Sequence, residues 1–390
     1  MKLFLIPLLL LTVPYMSTYQ YSINITLVNL GEELSPEVPG TPYYYLLNQN
    51  IFPNTTYQTV FLRDVLLDGK PAQFEMFEDE DGNPCIKVYS NRSLGEYQSA
   101  ELIMNFVFQT EKKSFDLSEI GNISQIPRVL SEEYSLRGAF DLSKLPNPDK
   151  VLSTAISLKG DNENVLQIIS NILMWFEENM RYNSELVAPQ DLWTTYSTMS
   201  GDCDDQANLF VLFCRAIGIP AYTVLGPIYM PGTDNIEKDK NMIFNLTNVA
   251  WHGWVMVYMP TKDGGAWYPV DLTFFKDAYF EDGHIKSRNI IDHITGSAFS
   301  KWDTFEYLSV SSMDYVAETV EARAEILGSN VTWYESHLML PIDGAVLIPQ
   351  QTIFDPSYIM ITMVFITLLI IILIQRKPRS APPYEGPSSS

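Results

Sequence analysis

The hydrophobic pattern of this 390-residue chain passes from a period of two to a helical period and back, and that order limits the folds open to it. Near the start, Ile23, Ile25 and Leu27 alternate with Ser22, Asn24 and Thr26; Leu102, Met104, Phe106 and Phe108 repeat the pattern. A period of two over such lengths makes strands with one buried face. Tyr57–Arg63 and Ile86–Tyr89 read as further strands between Gly, Pro, Asn and Asp turns, so an antiparallel β-sandwich is expected over residues 19–140. Past Ser143–Asp149, with its two prolines, the period turns helical. Val165, Ile168, Ile169, Ile172, Leu173 and Phe176 fall on one stripe, with Glu163 in the first turn. A second helix is expected from Cys203 to Ile217, closed by Gly218 and Pro220. Strands return near Tyr222–Leu225, Val255–Tyr258 and Trp267–Leu272, while residues 275–355 show no clear order. The class is α+β, with a second domain over 148–340.

Composition excludes one large group of partners. Lys plus Arg number 25 against 47 Asp plus Glu, a net charge of −22, so the chain has no dense cationic face for nucleic acid. The content is 46% hydrophobic and 13% aromatic, enough for sizeable cores. Both ends carry address-like features. Lys2, the apolar run Leu3–Val13 and the polar exit at Ser17 and Thr18 read as a signal peptide over 1–18. Tyr358–Ile374 holds 17 uncharged residues, followed by Arg376, Lys377 and Arg379. That pattern predicts one transmembrane helix over 358–374 with a cytoplasmic tail over 375–390. The expectation is a single-pass protein of the cell membrane with its N-terminal ectodomain outside. Asn-x-Ser/Thr triplets at Asn24, Asn54, Asn91, Asn122, Asn245 and Asn330 agree with a glycosylated, exported chain.

Three cysteines in an exported domain cannot build a disulfide scaffold. Cys85 follows the acidic turn Glu78–Asn83, whose Asp81-Gly82 pair reads as a hairpin tip. That turn reads first as solvated, although its carboxylates could hold a calcium ion; no other cofactor is implied. Cys214 falls on the apolar stripe Ala207, Phe210, Val211, Cys214, Ile217 and reads as a small core residue. Cys203 stands apart, in Gly201-Asp202-Cys203-Asp204-Asp205 at the head of that stripe. A thiol at a helix N-terminus meets unpaired N–H groups that favour its thiolate; the flanking aspartates oppose this.

A cysteine nucleophile needs a base and the base needs an orienting carboxylate. Of the four histidines, His252 opens the apolar run His252–Tyr258, and the chain returns through Gly264–Asp271. A four-residue loop over 260–263 would pair Met259 with Gly264 and bring Asp271 opposite His252, close enough to hold its ring. His284, His293 and His337 have no evident acidic partner. The main-chain N–H of Cys203, with Gln190, Trp193 or Thr198 conceivable as a second donor, would hold an oxyanion. Trp251, Trp254 and Trp267 could wall the cleft or fill the core. A zinc site from Cys203, His252 and nearby aspartates lacks any C-x-x-C or H-x₃-H pair.

The stretch from Gly201-Asp202-Cys203 through Arg215, Gly218, Pro220 and Ala221 resembles the nucleophile helix of the transglutaminase-like superfamily. His252-Gly253-Trp254 and Trp267-Tyr268-Pro269-Val270-Asp271-Leu272-Thr273 resemble its other two motifs, in the same order. The likeness covers roughly residues 160–275. It implies a papain-like core preceded by a β-sandwich, with Cys203, His252 and Asp271 as catalytic residues. Gly253 stands where that family commonly has Ala, and Met256 where Glu often follows. The expected function is an extracytoplasmic thiol hydrolase, a peptidase or amidase acting on protein or peptide. The alternatives are acyl transfer from glutamine to amines, as in a true transglutaminase, and an inactive surface binding module of the same fold.

Overall fold

The N-terminal alternation forms strand β1 (Met16–Asn29), in which Tyr19, Tyr21, Ile23, Ile25 and Leu27 are buried and most residues between them are not. The computed structural model describes residues 16–342 except 112 and 187, and all of these lie within one unit of the chain. After β1 come α1 (Pro42–Leu47), β2 (Asn48–Asn50), β3 (Gln58–Leu67), β4 (Lys70–Pro71), β5 (Phe74–Glu78), β6 (Pro84–Val88) and β7 (Ser99–Glu111). Helices α2 (Arg128–Glu133), α3 (Pro148–Lys159) and α4 (Val165–Asn179) precede β8 (Arg181–Tyr182), α5 (Leu192–Thr198), β9 (Ser200–Gly201) and α6 (Cys203–Ala216). A long hairpin follows, β10 (Ala221–Asp239) and β11 (Met242–Met259), then β12 (Ala266–Val270), β13 (Tyr279–Glu281) and β14 (His284–Lys286). The described chain ends with α7 (Asp292–Thr295), α8 (Ala298–Lys301), β15 (Leu308–Val310), α9 (Tyr315–Gly328) and β16 (Val331–Pro341).

The expected separate sandwich does not form. One nine-stranded sheet runs β15-β10-β11-β16-β1-β7-β3-β4, with β12 also beside β11. Strand β1 pairs with β7 on one edge and with β16 on the other, so Ile23 lies between Met104 and His337. The N-terminal strands therefore continue the sheet of the later residues. Period-two alternation predicts which face is buried but not which strand lies alongside, and here the partner comes from the far end of the described chain. All neighbours in this sheet are antiparallel except β11 and β16, which run parallel. A small sheet, β2-β6-β5, and α1 cover its N-terminal part, where Tyr43, Leu46, Phe52, Ile86 and Val88 pack with Ile25, Leu102 and Phe106.

The helical stripe read from sequence is the buried face of α4, whose N-cap is Asn164, accepting from the Gln167 N–H. It packs with α6, which is buried from Asp205 to Arg215 and so is enclosed on all sides.

The single-pass membrane placement is also corrected. Among the described residues no helix is long and apolar enough to cross a membrane. The longest, α4, has 15 residues, short of the roughly 20 that a bilayer core requires. The run at 358–374, the tail at 375–390 and the leader residues 1–15 lie outside the described residues, and residues 16–18 belong to β1. Asn24, expected as a glycan acceptor, donates its side-chain amide to Glu101 at 3.0 Å within the sheet.

Two features of the fold prepare the site. The first is a gap. Strand β11 pairs with β16 over Met242–Thr247 and with β12 over Val255–Met259 on its edge away from β10. Over residues 248–254 that edge has no strand among the described residues, and this stretch holds His252 and Gly253. The second is the acidic hairpin tip between β5 and β6. Asp81 accepts the main-chain N–H groups of Ser311, Ser312 and Met313 and both serine hydroxyls at 2.5–3.0 Å. Asp79 accepts from Asp81 and Asn83, so the tip clasps the segment leading into Tyr315. Burial alone would raise the Asp81 carboxyl; the donors of Ser312, Met313 and Ser311 outweigh it and hold the group below its ordinary range. A lowered folded value stabilises the protein above the unfolded-state value of about 3.9, and that contribution is lost as pH falls through the folded value. Asp81→Ala is expected to cost about 2–4 kcal/mol in denaturant unfolding at neutral pH, with the gap from wild type closing under acid.

Candidate active site

Helix α6 begins under tight local control. Asp205 returns a carboxylate oxygen to the N–H of Asp202 at 3.2 Å, a capping box that fixes the first turn. The same carboxylate accepts the Gln190 main-chain N–H at 2.7 Å and its Nε2 at 2.8 Å. A Cβ at Gly201 would come 2.6 Å from the Asp205 Cβ, so glycine is required there. These contacts set Cys203 at the first helical position, half-buried at the edge of a cleft. Cys85 and Cys214 are buried, and all three thiols are free.

The opposite wall comes from the gap in β11. His252 Nε2 lies 2.9 Å from Asp271 Oδ2, with both side chains buried. The hairpin register differs from the one expected. Met259 pairs with Ala266 and Val255 with Val270, so the loop has six residues, with Gly264 and Gly265 at φ of 120° and 121°. The slip is two residues, the side-chain period of a strand, which leaves each residue on its face. Asp271 follows directly after β12 and reaches His252 from there. Its carboxylate also accepts the N–H groups of Thr273, Phe274 and Ala298 at 2.9–3.1 Å. His293 brackets its backbone, with Nδ1 on the Asp271 carbonyl and the His293 carbonyl on the Asp271 N–H. His293 and His337 do have carboxylate partners, Glu177 at 2.9 Å and Glu335 at 2.8 Å; Glu335 shares a strand face with His337, whereas Glu177 comes from a distant helix.

Cys203, His252, Gly253 and Tyr182 line one cleft of about 680 Å³ together with Asp202 and Asp204. A Cβ on Gly253 would sit 2.9 Å from the Asp204 Cα, so glycine at this position lets the first turn of α6 press against β11. The Gly253 main-chain N–H reaches the Cys203 sulfur.

Charge in the cleft opposes a resting thiolate. Burial first, then the carboxylates of Asp204 and Asp202, push the Cys203 thiol well above its ordinary value; the Gly253 N–H acts the other way. Burial and its hydrogen bond to Asp204 push the Asp202 carboxyl to about 10. Asp202, Cys203 and Asp204 place three ligand atoms within 4.8 Å of one another, a grouping that could hold a metal ion.

The suggested second oxyanion donors are engaged elsewhere. Gln190 Nε2 donates to Asp205 and to the Ser200 carbonyl, and Thr198 Oγ1 to the Thr194 carbonyl at 2.7 Å. Trp193 lines a separate cavity with Asp191 and Tyr315. Tyr182, which carries no motif or period, lies in the cleft instead. Its hydroxyl is kept neutral by burial and by the nearby Cys203, Asp202 and Asp204. Of the tryptophans, Trp251 lines the cleft, Trp254 is fully buried against Phe299, and Trp267 packs against Tyr134, Tyr222 and Tyr258.

Residues 153–272 match the family described as the transglutaminase-like superfamily. No curated protein sequence matches the chain. A presumed cysteine protease from Cytophaga hutchinsonii has a similar fold, with a TM-score of 0.50 and 14% identity over 85% of this chain and 93% of that one. The periplasmic domain of TgpA from Pseudomonas aeruginosa, bound to ethylmercury, aligns over 67% of this chain and 90% of its own at 14% identity, with a TM-score of 0.28.

Removing one neighbouring charge should free the thiol. Asp204→Asn keeps an acceptor for the Tyr315 hydroxyl, which Asp204 Oδ2 binds at 2.6 Å, and takes away the largest carboxylate effect on Cys203. Iodoacetamide is expected to label Cys203 roughly tenfold faster in this variant than in wild type at pH 7. Gly253→Ala is expected to lower the melting temperature, with a cost of about 1–3 kcal/mol from the contact with Asp204.

Proposed function

Because residues 153–272 belong to the transglutaminase-like superfamily, we propose that the protein is a thiol hydrolase cleaving peptide amide bonds through Cys203, His252 and Asp271. The observation that carries this reading is the His252 Nε2–Asp271 Oδ2 contact at 2.9 Å, with His252 lining the same cleft as Cys203 and Asp271 buried behind it. With Nε2 held by the carboxylate, Nδ1 is the nitrogen left for the thiol.

Since the resting thiol is protonated, attack and proton transfer proceed together. The Cys203 S–H proton passes to His252 Nδ1 as the sulfur bonds to the carbonyl carbon. The oxyanion that forms is held by the Cys203 main-chain N–H at the helix end and by the Tyr182 hydroxyl. His252 returns the proton to the leaving amine, the C–N bond breaks, and a thioester remains on Cys203. Water then gives a proton to His252 and attacks the thioester, releasing the acid and restoring the thiol. Asp271 keeps the imidazole in the tautomer and orientation that both steps need. The transglutaminase reading differs only in the second half, where an amine takes the place of water. Free access of water to an open cleft favours hydrolysis.

A peptide amide library, offered with and without a labelled primary amine, separates the readings. Cleavage that depends on Cys203 without label incorporation supports the hydrolase; incorporation supports acyl transfer; neither, in a folded protein, supports a binding module. Within the hydrolase reading, Asp271→Asn is expected to lower kcat by a factor of about 10²–10⁴ without unfolding the protein. Tyr182→Phe is expected to lower kcat by about 10–100-fold while KM changes little, as for the loss of one oxyanion donor.

A further inference from the structure

Beyond Cys203 and His252 the cleft continues into a pocket whose chemistry the reaction does not use. Its walls are apolar and aromatic: Trp251, Phe244, Leu246, Val249, Tyr307 and Leu308. Trp251 meets Tyr307 and His337 edge-on, with ring centroids at 5.1 and 5.5 Å. One carboxylate, that of Glu335 on β16, lies among them with 20% of its side chain open. Register places Glu335 beside Phe244 of β11, and Phe244 beside Glu237 of β10. Opposite residues share a face, so Glu237, Phe244 and Glu335 form one row across three strands.

Glu335 carries a full negative charge. Burial alone would raise its carboxyl, but the hydrogen bond from His337 Nε2 at 2.8 Å, the electrostatic pull of the same ring and the hydrogen bond from Trp333 Nε1 at 2.9 Å outweigh it and hold the group below its ordinary range. His337 ties that carboxylate to the core. Its Nδ1 lies 2.7 Å from the hydroxyl of the fully buried Tyr21, whose proton has no other acceptor among the described contacts. In the tautomer whose Nδ1 accepts from Tyr21, Nε2–H donates to Glu335. Each Glu335 oxygen has one donor and capacity for another. The cleft's guanidinium, that of Arg323, is bound to Asp239 at 2.6 Å, and Asp204 and Glu237 are further carboxylates of the lining.

A pocket with apolar walls, and with an unused acceptor site on each oxygen of Glu335, suits a side chain with an alkyl stem and a cationic head. We propose that this pocket takes a lysine ammonium or arginine guanidinium of the substrate, and that Glu335 determines that specificity. The inference rests on the reading of Cys203 and His252 as the reacting pair, and names the substrate class for that site. The cation can arrive on the peptide being cleaved or on an amine that accepts the acyl group; both present the same chemistry.

The test uses the full chain carrying Cys203→Ala, which binds without turnover. Four acetylated peptide amides, alike except for one central Lys, Arg, norleucine or Glu, are measured by fluorescence competition, with n-pentylamine as the free-amine arm. The Lys and Arg peptides, or pentylamine, are expected to bind roughly tenfold or more tightly than the norleucine peptide, and the Glu peptide most weakly. Adding Glu335→Gln should remove the cation preference and leave the norleucine peptide unchanged. Equal binding of lysine and norleucine, or a preference that survives Glu335→Gln, overturns the proposal. Should Glu335→Gln fail to fold, the comparison among ligands on the unaltered pocket decides. A wild-type protein that binds lysine selectively but cleaves nothing counts against the hydrolase reading alone.

Discussion

The contact between His252 and Asp271 depends on an interruption in a sheet, and the rest of the site is arranged around it. A fully paired β11 would bury both of its edges in strand hydrogen bonds, leaving no opening beside His252. Instead β16 leaves that edge after Thr247 and β12 joins it only at Val255. Into this opening the first turn of α6 brings Cys203, admitted by the missing side chain at Gly253. Asp271 is held by four hydrogen bonds, so the carboxylate is fixed before any substrate arrives.

The electrostatics of this cleft differ from the simple picture of a thiol activated by a helix end. The partial positive charge of the α6 N-terminus favours a thiolate at Cys203, but burial first, and then Asp204 and Asp202 at the same turn, push the thiol well above its ordinary value. In the proposed reaction a thiol held up in this way gives its proton to the base during attack. Carboxylates that disfavour a free thiolate also favour a cation in the cleft. A positive substrate group seated there would offset them and ease ionisation of the sulfur, which links recognition to reactivity through charge alone.

Much of this was legible in the sequence where the signal is local. The six-residue stripe of α4 and the helix from Cys203 follow from the 3.6 period, and β1 and β7 follow from the period of two. What failed was non-local. Alternation in β1 could not reveal that β16, about 300 residues later, lies along its edge; the sandwich expected over 19–140 was the result. The 260–265 loop was read two residues short because nothing in Pro260–Asp263 signals that Gly264 and Gly265 extend it through positive φ. Since the error equalled the strand period, His252 and Asp271 stay on one face and their side chains meet. Tyr182 and Glu335 belong to no motif; their place in the cleft follows from packing alone.

The account's central claim is that Cys203 becomes a nucleophile because His252, held by Asp271, takes its proton. The most direct measurement is the acyl-enzyme itself. Wild-type protein and His252→Gln are mixed with the p-nitrophenyl ester of acetyl-lysine, following nitrophenolate release and the intact mass. The account predicts a burst of one nitrophenolate per chain with an acetyl-lysyl adduct on Cys203 in wild type, and loss of the burst in His252→Gln. An equal burst in both proteins, or an adduct on another residue, would contradict it.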